Sequence, residues 1–118
     1  MLQIEKVSND QHMTLKLKGQ VDASNSVELD MAIQEALTEG QDRIMVDGSQ
    51  LAYISSAGLG VFMSYLEDFR DKKVKFVIFG LSEKVLNVFH ILGLDQLLTI
   101  TEDQGKALDI LYERRTEE

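Results

Sequence analysis

The strongest constraint on the fold is a change of hydrophobic period that repeats along the chain. Leu2 and Ile4, then Met13, Leu15 and Leu17, alternate with polar neighbours. Each run therefore has one apolar face and reads as a strand, the two joined as a hairpin across Ser8-Asn9-Asp10-Gln11. Beyond it the period lengthens and shortens in turn. Leu29, Ile33, Ala36 and Leu37 share one helix face that Gly40 ends, after a start at Ser24-Asn25-Ser26 where Asn25 and Glu28 have capping-box spacing. Gln41 to Val46 reads as a central strand, and Leu59, Phe62, Leu66 and Phe69 form the stripe of one further helix. Lys73 to Phe79 is another strand, Ser82 caps a short helix that stops at Gly93, Leu97 to Ile100 is a weaker strand, and a final helix carries Ala107, Leu108 and Leu111. Thr101 and Gln104 give that last helix a second capping-box pattern.

A hairpin followed by alternating helices and strands specifies an α/β fold. We expect a mixed sheet of about five strands, parallel through right-handed crossovers after the hairpin, with about four helices packed against it. At 118 residues and 44% hydrophobic content the chain can bury one core, and with no proline and no linker-like tract it reads as a single domain over 1–118. The net charge of −8 disfavours a broad footprint on nucleic acid or on an anionic membrane, so partner proteins or small ligands are expected. No cysteine is present, and His12 and His90 lie far apart, so no metal site is expected. The N-terminus has no signal-like apolar region and no run approaches the ~20 residues of a membrane helix, which reads as a cytoplasmic protein. No long unpaired apolar surface is evident, and the free chain reads as a monomer.

Chemistry concentrates between Met45 and Gly60. An apolar run breaks at Asp47-Gly48, read here as a turn, with Ser49 as a local backbone hydrogen-bonder. Ser55 and Ser56 then stand at the mouth of an apolar helix. A helix start carries unsatisfied N–H groups and a partial positive charge, so a phosphate on a hydroxyl there is well accommodated. Two readings follow: regulatory phosphorylation of Ser56, or plain capping by the serine pair. Gly58-Leu59-Gly60 lacks the third glycine of a dinucleotide fingerprint, because Met63 occupies that position, and no Walker-type motif exists. Ile54 stands where a Gly-x-Ser-x-Gly elbow needs its first glycine. Catalytic residues and cofactors are therefore not expected. Ligands of such sheets gather beyond the carboxyl ends of strands, which singles out Gln20 to Ser26 and Asp47 to Gly60.

The segment Asp47-x-Ser49-x-Leu51-x-Tyr53-Ile54-Ser55-Ser56-Ala57-Gly58-Leu59-Gly60, preceded by Gly19-x-Val21-Asp22-x-x-Asn25, resembles the bacterial anti-sigma-factor antagonists of the STAS domain family. The resemblance covers nearly the whole chain. It implies a partner-switching protein without catalytic activity. Unphosphorylated, such a protein binds an anti-sigma factor that is also a serine protein kinase; phosphorylation disrupts that binding and a metal-dependent phosphatase of the PP2C type restores it. Carried onto this chain, the acceptor is Ser56, and Asp22, Asn25, Ser55, Gly58, Leu59 and Gly60 are expected at the partner surface. This chain departs from the family in having Ser55 where Asp is common before the acceptor, so that either hydroxyl could serve. Gly48 and Gln20 are further departures, standing where an apolar and an acidic residue are common.

Phosphate would add about −1.5 to −2 charges at the helix start, which the fold tolerates and a partner packed on it does not, least of all beside Asp22. A first alternative is an unphosphorylated STAS scaffold or ligand-sensing subunit of a transporter or stress-sensing complex. A small nucleotide-binding domain is a second, with no phosphate-loop motif in its favour.

Overall fold

The computed structural model describes residues 1–113; of the charged tail read as a solvated helix end, Arg114 to Glu118 lie outside them. In chain order the elements are β1 (Leu2–Ser8), β2 (Met13–Val21), α1 (Ser26–Thr38), β3 (Arg43–Ile54), α2 (Ser56–Ser64), α3 (Leu66–Asp71), β4 (Lys75–Phe79) and α4 (Glu83–Ile91). A short 3-10 turn (Leu94–Gln96), β5 (Thr99–Thr101) and α5 (Gln104–Leu111) complete the described chain. The strands lie in the sheet in their chain order, with β1 antiparallel to β2 and every later neighbour parallel. This is the mixed five-stranded sheet expected from the change of period.

Strand order explains where the helices sit. Right-handed crossovers between successive neighbours step across the sheet in one direction, so α1, α2 with α3, and α4 fall on one face. Ile44, Val46, Phe76 and Ile78 point to that face and join Leu29, Ile33, Phe62 and Phe89 in the larger core. The alternate residues Met45, Val77 and Phe79 point the other way, into a smaller core closed by Ala107 and Leu111. Among the described elements it is α5, which follows the last strand and is not a crossover, that covers that second face. It is pinned at its C-terminal end, where Arg43 Nε donates to the Leu111 carbonyl at 3.1 Å and the guanidinium lies 4.7 Å over the Tyr112 ring.

Five local expectations need correction. Asp47-Gly48 does not end β3. The strand runs on to Ile54 because Gly48 and Ser49 together oppose Leu17 alone, a bulge that absorbs the irregularity without breaking the pairing. The Asp47 carboxylate accepts from the Ser49 N–H at 2.9 Å, so the aspartate rather than the serine side chain is the local hydrogen-bonder. A Cβ on Gly48 would lie 2.4 Å from Leu81 Cδ2, so a side chain here would have to displace the end of Leu81. The single helix expected after the serines is two segments, α2 and α3, meeting at Tyr65. That residue sits at φ −101°, ψ −3°, and its ring stacks on Phe69 with centroids 5.9 Å apart.

The capping boxes also fail. The Asn25 side chain does not cap α1, and α5 is capped by Asp103, whose carboxylate accepts from the Lys106 N–H at 2.9 Å, not by Thr101. The Ser82 cap forms as read, its hydroxyl accepting from the Val85 N–H at 3.2 Å.

Tyr65 ties the α2–α3 junction to α1. Its hydroxyl donates to the Asp30 carboxylate and contacts the Asp30 carbonyl oxygen at 3.1 Å, while the side chain is only 7% exposed. Burial first, then the hydrogen bond and charge of Asp30, raise the phenol well above its ordinary value of 10.0. An acid whose folded-state value is raised stabilises the fold below its unfolded value and ceases to do so as pH rises through the folded one. Tyr65→Phe should therefore cost about 1–2 kcal/mol at neutral pH by losing a hydrogen bond to a charged acceptor. Urea titrations above pH 10 should show stability falling less steeply in the variant than in the parent chain.

Candidate functional site

β2 and β3 end level with each other. Val21 pairs with Ile54, and the Ser55 N–H donates to the Val21 carbonyl at 2.9 Å, one residue beyond the strand. That alignment depends on the bulge at Gly48-Ser49 and on a second one at Ala52, which has no partner on β2. The two loops singled out in the sequence thus leave the sheet side by side at its carboxyl edge. Of the first, Gln20 and Val21 still belong to β2 and Ser26 already begins α1, which leaves Asp22 to Asn25 as the loop. Of the second, Asp47 to Ile54 is strand, Ser55 is the only linking residue, and Ser56 already begins α2.

Asn25 shapes the first loop from beneath. It is 6% exposed, its Oδ1 accepts from the Asp22 N–H at 2.9 Å, and its Nδ2 donates to the Gln20 carbonyl at 3.1 Å. With the amide engaged in this way, it is unavailable to α1, which is why the capping box fails. Asp22 Oδ1 accepts from the Ser24 hydroxyl at 2.6 Å and from the Ser24 N–H at 2.9 Å. These bonds, the hydroxyl's first, hold the Asp22 carboxyl below its ordinary value of 3.8, so it is ionised at neutral pH. Ser24 gave no signal of this role beyond lying two residues after an aspartate, the spacing of an Asx turn.

The two serines differ sharply. Ser56 is exposed at the first position of α2, whereas the Ser55 Oγ is buried and has no hydrogen-bond partner among the described residues. Ser55 holds the N-cap position with extended backbone, φ −91° and ψ 174°, yet its side chain makes no capping bond. The expectation that Ser55 caps the helix is therefore corrected. The first-turn N–H groups of α2 receive no side-chain acceptor from their cap, which keeps the helix terminus electropositive beside Ser56.

The Gly58-Leu59-Gly60 run is placed unevenly. Leu59 is 2% exposed and belongs to the larger core, and Gly58 is also buried. Like Asn25, both were expected at the partner surface, and both instead support it from below. A Cβ on Gly58 would stand 2.6 Å from Val21 Cγ1 and 2.8 Å from Ile54 Cγ1, so its absence lets α2 rest on the strand ends. Gly60 is exposed with nothing within 4 Å of a Cβ position, so close packing does not explain it. The exposed site residues are Ser56 and Gly60, with Asp22 half-buried. Next to them stands Tyr53, 45% exposed and paired with Gln20, which sequence reading quoted in the motif without assigning to the site. Among the described residues no cluster of three or more His, Cys, Asp or Glu could hold a metal ion. No helix among them is long and apolar enough to cross a membrane.

Two thermal or urea titrations check this geometry. Ser55→Ala should be neutral or stabilising by up to about 1 kcal/mol, because it removes a buried hydroxyl without a partner; a functioning N-cap serine would instead cost ~0.5–2 kcal/mol. Gly58→Ala should cost about 1–3 kcal/mol by forcing α2 off the strand ends, while Gly60→Ala should stabilise by ~0.5–1 kcal/mol as an open helical position.

Comparison with known proteins adds the context for this geometry. A family model described as "Mlab, STAS domain" matches residues 4–99. An anti-sigma-B factor antagonist of Listeria monocytogenes is 26% identical over 101 residues, covering 86% of this chain and 89% of its own. One from Staphylococcus epidermidis is 29% identical over the same length, covering 86% and 94%. Among solved structures, an anti-sigma factor antagonist from Mycobacterium paratuberculosis superposes with a TM-score of 0.86 at 17% identity, covering 95% of each chain. The unphosphorylated form of the anti-sigma factor antagonist SpoIIAA gives 0.79 at 17% identity, covering 98% of this chain and 100% of its own. The family match and the shared fold place this chain in the STAS domain family.

Proposed function

We propose that this protein is an anti-sigma-factor antagonist of the partner-switching type, a binding protein with no catalytic step of its own. In its unphosphorylated form it binds an anti-sigma factor with serine protein kinase activity, in the cytoplasm. Phosphorylation of Ser56 releases the partner, and a PP2C-type phosphatase resets the switch. Support comes from the antagonist names of relatives at 26% and 29% identity. The observation that carries the reading is the exposed Ser56 hydroxyl at the uncapped start of α2, beside the Asp22 loop. Ser55, with its hydroxyl buried, is the poorer acceptor.

The energetics suit a switch. A phosphate on Ser56 adds about −1.5 to −2 charges. In the free protein it faces water and a helix terminus that favours anions, worth ~0.3–1 kcal/mol at an exposed end. Against a partner it must be desolvated near the ionised Asp22, where like charge adds to the penalty. Gly58 and Leu59 keep the core beneath the serine closed, so the modification loads the surface and leaves the interior alone.

The test is intact-mass and site-mapping spectrometry after incubation with ATP and a candidate kinase from the same organism. A single phosphate on Ser56, absent from Ser56→Ala, is the expected result. Kinase binding measured by calorimetry should persist in Ser56→Ala and weaken by about tenfold or more, roughly 1.4 kcal/mol, in Ser56→Glu. A phosphate on Ser55 would move the acceptor by one residue. No phosphate on either serine would reject the switch in favour of an unphosphorylated scaffold subunit.

A further inference from the structure

The far edge of the sheet carries features that the Ser56 site does not use. β5 pairs with β4 from Val77–Thr99 to Phe79–Thr101 and has no strand on its other side among the described residues. Its sequence, Thr99-Ile100-Thr101, holds none of the charges that usually blunt a sheet edge. Large apolar side chains flank it, with Leu97 56% exposed, Leu86 of α4 39% and Ile110 of α5 38%. Scattered exposed apolar residues are ordinary, but these flank an unpaired strand on both of its sides, Leu86 on the α4 face of the sheet and Ile110 on the α5 face.

Two grooves bracket the strand. The larger, about 620 Å³, is lined by Leu81, Leu86 and Ile100 together with Glu83, Asp95 and Glu102. The smaller, about 370 Å³, is lined by Phe69, Phe76, Leu97 and Ile110, with Lys75 beside them. Charge divides the two. In the larger groove Lys106 pairs with Glu102 and His90 Nδ1 lies 2.8 Å from Asp95, while Glu83 forms no ion pair among the described residues. Carboxylates thus outnumber firm cations there, and the smaller groove has a lysine, itself bonded to Glu113.

We propose that the β5 edge is a docking site for an extended segment of a partner protein in which basic and aliphatic residues alternate. Such a segment adds to the sheet as one more strand. Main-chain hydrogen bonds to β5 provide the attachment, and side chains on alternate positions enter the two grooves. The basic ones, all on one side of the segment, meet Glu83 and Glu102 in the larger groove, and the aliphatic ones, on the other side, cover Leu97 and Ile110 at the smaller. The inference goes beyond the proposed switch and does not rest on it. β5 lies two strands from β3, so a partner held there can stay attached whatever the state of Ser56.

The test uses the full chain with a short fluorescein-labelled synthetic peptide alternating valine and arginine, and a valine–glutamate peptide as control. Fluorescence anisotropy reads affinity, and amide chemical-shift mapping locates the contact. The expected result is binding of the arginine peptide alone, with the largest shifts at Leu81 to Leu86 and Thr99 to Glu102. Glu83→Lys and Leu86→Lys, both at exposed positions, should each weaken it by about fivefold or more. Unchanged amide signals away from α4 would certify that each variant folds. Failure to bind at millimolar peptide overturns the proposal. So do shifts spread over the whole acidic surface, or affinity indifferent to both substitutions. Self-association that moves the same amides without peptide would assign the edge to a second copy and equally overturn it.

Discussion

The hydrogen bond from the Ser55 N–H to the Val21 carbonyl closes the parallel pairing of β2 with β3 at the sheet's carboxyl edge. It can form only because β3 carries two more residues than β2 over their shared length, taken up in bulges at Gly48-Ser49 and Ala52. Without them β3 would leave the pairing early, and α2 would begin away from the Asp22 loop. The bulges themselves rest on small local devices. The Asp47 carboxylate holds the Ser49 amide, and Leu81 fills the space that a side chain on residue 48 would take. A defect in strand pairing thus sets the position of an exposed hydroxyl.

Two kinds of residue build the site, and they have opposite exposures. Asn25, Gly58 and Leu59 are buried and fix backbone: the loop by two amide hydrogen bonds, the helix by close approach to Val21 and Ile54. Ser56, Asp22, Gly60 and Tyr53 stand above them with surface to offer. A sequence motif mixes the two classes, since the geometry needs both. Ser55 belongs to neither, because its backbone serves the strand pairing while its hydroxyl is buried without a partner.

The elements were legible wherever one period governed a whole run. Period two gave β1 and β2, and the stripe of Leu29, Ile33 and Ala36 gave α1. Misreadings arose where two structures share one local pattern. Asp47-Gly48 suits a turn and a bulge equally, and only the length of β2 opposite decides between them. The spacing from Leu59 and Phe62 to Leu66 and Phe69 runs unbroken through Tyr65, where the helix divides and the hydroxyl meets Asp30 of α1, a contact that periodicity does not register. Asn25 precedes Glu28 at capping distance, but the carbonyl of Gln20 and the amide of Asp22 take its side chain first. The serine pair was legible as a helix start. Which hydroxyl faces water was not, since adjacent helical residues differ by a rotation of about 100° whose origin tertiary packing sets.

Strand order in the sheet equal to strand order in the chain has a consequence for synthesis on the ribosome. Each parallel strand docks beside the one made just before it, so the larger core can be assembled progressively as the chain emerges, without waiting for distant segments. The smaller core cannot. Met45, Val77 and Phe79 stay bare until Ala107 and Leu111 arrive, a delay that even for Phe79 is ~2–6 s at translation rates of about 5–20 residues per second. During those seconds the nascent molecule is a nearly complete sheet with one greasy face open. That face closes only when α5 is made, so the last described helix completes the burial of the sheet.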